Sequence, residues 1–201
     1  LSANSVGTTT ATIRVSFTVP NDGGSAITFY DYSTDNGSTW RSINNLVGGN
    51  TFDITNQTVN GTPALVAGTL YNIKVRANNA AGSGTASSAV VGVAYTIPGQ
   101  IPAAPSITNI GNGSVSLSWF APSNTGGGIT DYKVEYLPSG GTWTVFNDGV
   151  YSIPTTVVVT GLINGTSYTF RVSAINTAGT GQASASSNAA VPFTVPDAPV
   201  I

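Results

Sequence analysis

The sequence predicts an all-β protein made of two homologous β-sandwiches in tandem. One observation is an internal repeat, because residues 65–84 return as residues 162–181 at a constant offset of 97. Another is the strict alternation of apolar and polar side chains in residues 13–17 and 115–119, which is typical of strands with one buried face. Turn-forming clusters such as residues 21–24 separate these short apolar stretches, as expected for a sandwich.

A second match fixes the length of the repeat, since residues 15–20 resemble residues 117–122 at an offset of 102. The difference between the two offsets is the loop-length variation expected between homologous domains. Prolines cluster at the seam, where they fix φ and remove backbone donors. We therefore expect a first domain over 1–97, a Pro-rich linker over 98–104, a second domain over 105–194 and a further segment over 195–201.

Composition argues against several classes of function. Charged residues are 7% of the chain and Lys plus Arg number six, so a surface that tracks nucleic-acid phosphates is not expected. No stretch approaches the roughly 20 apolar residues of a membrane-spanning helix, so we expect no membrane insertion. His, Cys and Met are absent, which removes the usual ligands of transition metals and the commonest general base. We expect no cofactor, no metal site, no catalytic residues and no enzymatic activity.

The second repeat resembles a fibronectin type III domain over nearly its whole length. The resemblance is carried by residues 104–107, by Trp119, by residues 127–136 and by the run over 162–179. It implies that each repeat is an immunoglobulin-like Greek-key β-sandwich. The first repeat is a variant of the pattern, and its residues 27–40 look like those of bacterial and phage-type arrays.

The same resemblance assigns structural roles to individual residues. In this family the tryptophan is a core residue, and a leucine and a tyrosine form a corner in which the ring packs inward and the hydroxyl bonds to the backbone. Residues of the first repeat match these positions, with phenylalanine in place of the tryptophan. The expected structural core is therefore Phe17, Leu65 and Tyr71 in the first repeat and Trp119, Leu162 and Tyr168 in the second.

The first repeat lacks the opening Ala-Pro-x-Ile pattern that the second carries at residues 104–107, so we expect its first strand to be missing. That pattern stands at the other end of the chain, in Ala198, Pro199, Val200 and Ile201. Joined to Leu1, this segment would supply the strand. It is either the start of a following covalent repeat or a strand exchanged with another copy. Truncation of the sequence at an arbitrary point explains the pattern equally well.

Two kinds of polar or aromatic position invite a binding interpretation. Trp40 and Trp143 match each other, and a solvent-facing tryptophan can stack on sugars; the recurrence instead favours a partly buried aromatic that covers the sandwich. Asp22 and Asp35 lie beside Asn and Gly, where aspartate stabilises turns. Residues 35–39 faintly resemble a calcium loop but lack its alternating acids and closing glutamate, so a hairpin turn is favoured.

These observations predict a structural or adhesive repeat module of an extracellular fibre or array, exposed on a cell or virion surface. The expected partners are other copies or repeats of the same protein, with surface glycans as a second class. A spacer or carbohydrate-binding accessory module of a secreted glycanase is the main alternative, and a decoration domain of a phage virion is another. The function rests on the family resemblance, because a fold does not fix a function.

Overall fold

The computed structural model describes residues 1–6, 9–55, 64–149 and 152–196. These residues form strands, turns and irregular segments, and none of them forms a helix that could cross a membrane. The chain divides into two compact units, Leu1–Thr96 and Ile97–Ile201. Both units are sandwich-like, which confirms the predicted all-β tandem architecture.

Unit 1 packs one small sheet against a larger one. The small sheet has the order β1-β2-β5, and the larger has β4-β3-β6, with β7 and β8 paired to β6. All of these pairings are antiparallel. The strands are β1 (Ser2–Ser5), β2 (Ile13–Ser16), β3 (Phe29–Ser33), β4 (Arg41–Ser42), β5 (Thr51–Ile54), β6 (Leu70–Asn79), β7 (Gly82–Ser83) and β8 (Val90–Val93).

Unit 2 repeats this plan. Its sheets have the orders β13-β10-β9 and β12-β11-β14-β15, again antiparallel throughout. The strands are β9 (Ser106–Gly111), β10 (Ser114–Ser118), β11 (Asp131–Pro138), β12 (Thr144–Phe146), β13 (Thr156–Val159), β14 (Tyr168–Asn176) and β15 (Gly179–Thr180).

Each unit has its own core between its two sheets. In both units the inward positions of the alternating strands carry β-branched, leucine and aromatic side chains, because the two-residue period sends every second side chain to the same face. Burial of this apolar area is the main stabilising contribution. The largest fully buried side chains include Ile13, Val15, Phe52, Ile54 and Ile73 in unit 1, and Val115, Leu117, Val159, Phe170 and Val172 in unit 2.

The expectation that unit 1 lacks its first strand is wrong. Ser2–Ser5 pairs with β2, and Ala3 stands opposite Val15 where Ile107 stands opposite Leu117 in unit 2. Ladder pairing needs only backbone donors and acceptors, so a strand can form without the Ala-Pro-x-Ile pattern. Ala3 still packs against the core, but a single alanine gives little hydrophobic signal in the sequence.

This strand also bears on the expected role of the chain's last residues. Ala198, Pro199, Val200 and Ile201 lie outside the described residues. The position beside β2 that an exchanged strand would take is already occupied by β1. Unit 1 therefore needs no strand from another copy to complete this sheet.

Candidate functional site: an acid–arginine–tryptophan cluster in each unit

The outer face of the larger sheet in unit 1 carries a cluster of Asp31, Arg76 and Trp40. Asp31 on β3 stands directly opposite Arg76 on β6, and both Nε and Nη2 of the arginine donate to Oδ2 of the aspartate at 3.0 Å. Asn78 Nδ2 donates to the same oxygen at 3.1 Å, and Ser42 Oγ donates to Oδ1 at 2.9 Å. The buried carboxylate is thus compensated by four hydrogen bonds.

Trp40 completes this cluster just before β4. The guanidinium carbon of Arg76 lies 4.3 Å from the centre of the indole ring, within the range of a cation–π interaction. The indole is half-buried, and one of its faces is occupied by the arginine. The ring therefore helps to cover the ion pair of the outer sheet face.

Unit 2 contains the same cluster built from Glu135, Arg171 and Trp143. Glu135 on β11 stands opposite Arg171 on β14, and the two side chains make a bidentate pair with distances of 2.9 Å for Nε to Oε2 and 3.2 Å for Nη2 to Oε1. Lys133 Nζ lies 3.3 Å from Oε2. The guanidinium carbon lies 4.2 Å from the ring centre of Trp143.

The electrostatic effect of this pairing is clearest at Glu135. The hydrogen bond from Arg171 lowers the pKa of the Glu135 carboxyl, burial opposes this, and Lys133 adds to the lowering. The carboxylate is therefore held in its charged form although its residue is buried. A charge in this setting strengthens the local structure only while its partners remain in place.

The two clusters do not occupy equivalent positions of the repeat. The strand register pairs Asp31 with Arg76, and the corresponding step of unit 2 pairs Lys133 with Ser173. The unit 2 cluster lies two residues further along the strands, on the same face. Aligning the repeats by sequence matches Arg171 with Lys74, which is why sequence reasoning missed the acid–arginine pairs. A search of the sequence for an acid and an arginine on strands expected to be neighbours could have predicted these pairs.

The two aspartates expected in turns both bond to the local backbone. Asp22 Oδ1 accepts from Gly24 N at 2.9 Å. Asp35 Oδ1 accepts from Thr39 N at 2.9 Å and from Ser33 Oγ at 2.6 Å, while Oδ2 accepts from Thr39 Oγ1 at 2.7 Å. Asn36 and Gly37 follow with positive φ values of 62° and 95°. Both carboxylate oxygens of Asp35 thus accept from protein donors, as in a turn.

These hydrogen bonds set the acidity of Asp35. Burial acts to raise the pKa of its carboxyl, but the hydrogen bonds from Ser33, Thr39 and Ser38 outweigh it and bring the pKa to about 2. No group of three or more His, Cys, Asp or Glu side chains converges to hold a metal within the described ranges.

The six expected core residues are all buried in the structure. Phe17 packs on Tyr30 with ring centres 4.7 Å apart, and Trp119 packs on Tyr132 at 5.2 Å. These aromatic pairs occupy matching positions of the two units. Leu65 and Leu162 lie in the same two cores as the aromatic residues.

Both corner tyrosines make the same hydrogen bond. The hydroxyl of Tyr71 accepts from Val66 N at 2.8 Å, and that of Tyr168 accepts from Ile163 N at 3.0 Å. Gly68 and Gly165 turn the chain between these partners with φ near +80°, a conformation that favours glycine. The leucine-to-tyrosine motif therefore closes the same turn in each unit.

The comparison with known families agrees with this geometry. The family model described as "Fibronectin type III domain" matches residues 1–93 and 100–190. The chain belongs to the fibronectin type III family and contains two such domains in tandem.

Three similar proteins illustrate the range of contexts. "Chitinase A1" of Niallia circulans is 36% identical over 168 residues, which are 75% of this chain and 22% of that protein. "Brother of CDO" of Homo sapiens is 36% identical over 92 residues, or 45% of this chain and 8% of that protein. This chain thus spans less than a quarter of either relative. The crystal structure of domains A168–A170 from titin is 19% identical, covers 95% of this chain and 61% of its own, and has a TM-score of 0.64; it shows the fold alone.

Proposed function

We propose that the chain is a structural repeat module of an extracellular or surface-displayed array. The observation that carries this proposal is a recurring segment: Tyr95-Thr96-Ile97-Pro98, which leads from unit 1 into unit 2, is matched by Phe193-Thr194-Val195-Pro196 at the end of unit 2. A connector that recurs with the domain is typical of modules strung along one axis. Each module keeps its own core.

The chemistry of the surface supports the same proposal. Charged residues are 7% of the chain, and the acids and arginines of the two clusters are bonded to one another. The tryptophans of both clusters lie against arginines. Fibronectin type III domains are in general non-catalytic modules, and a surface of Ser, Thr, Asn and Gly suits a spacer that must remain chemically inert.

The expected location and partners follow from this role. An extracellular or cell-surface position is supported by a relative from Xenopus laevis named "Cell adhesion molecule-related/down-regulated by oncogenes", which is 36% identical over 80 residues, or 40% of this chain and 6% of that protein. The partners that we propose are other copies or repeats of the same protein.

A second candidate function is a spacer or carbohydrate-binding accessory module of a secreted glycanase. The observation that favours it is the 36% identity to Chitinase A1 over three quarters of this chain. In that role the indole rings of Trp40 and Trp143 would stack on sugar rings. The arginine beneath each ring would then hold the indole in a fixed orientation.

The module role predicts a defined mechanical response. We expect the 201-residue chain, pulled between its ends in a force spectrometer, to show two separate unfolding events. Each event should lengthen the chain by roughly 300 Å, the extended length of one domain of this size. A single event, or extension without resistance, would contradict independent load-bearing modules.

Retention on insoluble polysaccharide separates the two candidates. A repeat module should pass through columns of chitin and cellulose, as should its Trp40→Ala and Trp143→Ala variants. Retention of the unmodified chain together with loss of retention in both variants would instead support the accessory-module function.

A further inference from the structure

The segment that opens unit 2 covers one end of its sandwich. Gly99 N donates to the carbonyl oxygen of Asn124 at 2.8 Å, and Gln100 Nε2 donates to that of Ala183 at 2.7 Å. Ile101 is 2% exposed and belongs to the unit 2 core. The segment Ile97–Ile101 is therefore a packed part of unit 2.

Two glycines make room for this segment. A Cβ atom on Gly181 would stand 2.5 Å from the carbonyl oxygen of Pro98, and one on Gly179 would stand 3.4 Å from Cγ2 of Ile97. Real Cβ atoms essentially never approach an oxygen as closely as 2.5 Å. The close approach of two backbones is thus possible only because residue 181 has no side chain.

Unit 1 presents the same surface as an open groove of about 450 Å³. Its lining includes Pro20, Asp22, Gly82 and Gly84, which match Pro122, Asn124, Gly179 and Gly181 at the offsets of the two repeats. We call these four residues of unit 1 the glycine groove.

The backbone of the glycine groove is shaped as in unit 2. Gly82 has φ of 130° and Gly179 of 138°. Gly84 N donates to Ala77 O at 2.8 Å, as Gly181 N donates to Ala174 O at 2.8 Å. A Cβ atom on Gly82 would meet no atom within 4 Å, and one on Gly84 would meet only the Ala77 carbonyl oxygen, at 3.3 Å.

The chain also carries a second example of the covering segment. Phe193-Thr194-Val195-Pro196 repeats the pattern of Tyr95-Thr96-Ile97-Pro98. Val195 is 81% exposed and Phe193 is 61% exposed, whereas Ile97 is partly covered against Gly179. The segment Phe193–Pro196 is therefore an exposed apolar segment of the kind that covers the matching surface of unit 2, and the glycine groove of unit 1 has the shape to receive it.

We propose that the glycine groove binds Val195-Pro196 of a second copy of this chain placed ahead of Leu1. This inference deepens the proposed array function and rests on it. The contact is head-to-tail, since the two surfaces differ, and such contacts generate open linear assemblies.

The test is a tandem protein in which residue 201 of one full chain is joined to residue 1 of another, with either copy labelled separately with ¹⁵N. We expect the amides of Gly82–Thr85 to exchange about tenfold more slowly in the second copy than in the first, because the docked segment would cover this backbone and oppose its local opening. The first copy is the internal control, because no Val195-Pro196 segment precedes its groove. Equal exchange rates in the two copies would overturn the proposal.

Two variants identify the contact. Gly84→Ala in the second copy should abolish the added protection, because its Cβ would meet the Pro196 carbonyl as a Cβ on Gly181 would meet that of Pro98. Val195→Asp in the first copy should abolish it too, and this exposed residue is not needed for folding of unit 2. Protection that survives both variants would show that something other than this segment covers the groove, and the proposal would fail.

The outcome is separable from that of the array function. Two unfolding events under force, together with equal exchange rates in the two copies, would agree with the array function and contradict only the docking contact. Protection of the groove in the single chain by a free peptide of scrambled Phe193–Pro196 sequence would mean a general preference for proline-containing peptides. That result would also contradict the proposal that the groove binds a second copy of this chain.

Discussion

Each acid–arginine–tryptophan cluster joins an acid and a nearby tryptophan to an arginine that is distant in sequence, 45 residues from the acid in unit 1 and 36 in unit 2. The clusters lie two residues apart along the aligned strands, yet in both of them an arginine is paired with an acid and lies over a tryptophan ring. A shift of two residues along a strand returns a side chain to the same face of the sheet. The acid–arginine pair can therefore lie two residues further along and still be on the outer face. The two outer faces therefore share the acid–arginine–tryptophan interaction, although its residues are not at equivalent positions of the repeat.

Removing the arginine of the unit 2 cluster should destabilise that unit. Arg171→Ala leaves the buried Glu135 with only Lys133 as a cationic neighbour. We expect a loss of about 2 kcal/mol in the free energy of unfolding, below the full cost for a buried pair because the arginine is partly exposed. Urea denaturation measures this loss.

The matched control is the exposed ion pair of unit 1. Arg14 and Asp53 bond at 2.7 Å, with side chains 52% and 32% exposed. Arg14→Ala should leave the free energy of unfolding almost unchanged, as expected for an exposed ion pair. Equal losses for the two variants would show that burial of the acid is not the decisive factor.

The turn at Asp35 should contribute a pH-dependent part of the stability. Its pKa is lowered to about 2 in the folded protein, against about 3.9 for an unfolded aspartate. The contribution is therefore fully present above about pH 4 and is lost as the pH falls toward 2. Urea midpoints measured between pH 2 and pH 7 should show this decline.

Asp35→Asn isolates the contribution of that carboxyl. Asparagine keeps an oxygen that can accept from Thr39 N and Ser33 Oγ, but it does not titrate in this range. The acid-side decline of stability should become shallower while the turn remains. Asp53 and Glu135, whose pKa values are also lowered by arginine hydrogen bonds, should supply the decline that persists. An unchanged pH profile would contradict the role of Asp35.

At the scale of elements, the turn before β6 and the turn before β14 are built alike. In each, a tyrosine at the start of the strand accepts a hydrogen bond from a backbone N–H five residues earlier. The hydroxyl satisfies a donor that the sheet ladder does not use. This contact ties the crossover segment to the strand that follows it.

Tyr168→Phe should remove this bond and keep the ring packing. The N–H of Ile163 would lose its partner, and we expect a cost of about 1 kcal/mol, the typical net value of such a bond. Tyr71→Phe in unit 1 should cost a similar amount, because its bond to Val66 is of similar length. Thermal melts of both variants measure the effect, and no change in either would argue that water replaces the hydroxyl at no cost.

At the scale of the whole molecule, the two cores are separate. The aromatic pair Phe17–Tyr30 belongs to one cluster of buried residues, and Trp119–Tyr132 belongs to the other. Loss of packing in one cluster should therefore leave the other intact. This separation is what a chain of repeated modules requires.

Trp119→Ala should destabilise unit 2 by roughly 3–5 kcal/mol, as large core truncations do. The unfolding transition of unit 1 should keep its midpoint, which NMR signals of its core methyl groups can follow separately. Phe120→Ala is the matched control, because this neighbouring aromatic is 74% exposed and its removal should have little effect. A shift of both transitions in Trp119→Ala would contradict the independence of the cores.

The amino-acid sequence alone predicts the repeat, the all-β class and the inward face of the strongly alternating strands, because these depend on local periodicity. Alternation at 13–17 and 115–119 predicts the core, and the leucine-to-tyrosine motif predicts the corner. The tertiary structure decided what depends on pairing between distant strands. Ser2–Ser5 forms a strand through backbone bonds that leave little trace in side-chain pattern, and Asp31 meets Arg76, and Glu135 meets Arg171, only through the strand register. The glycine groove is likewise visible only when the ends of the two units are compared in space.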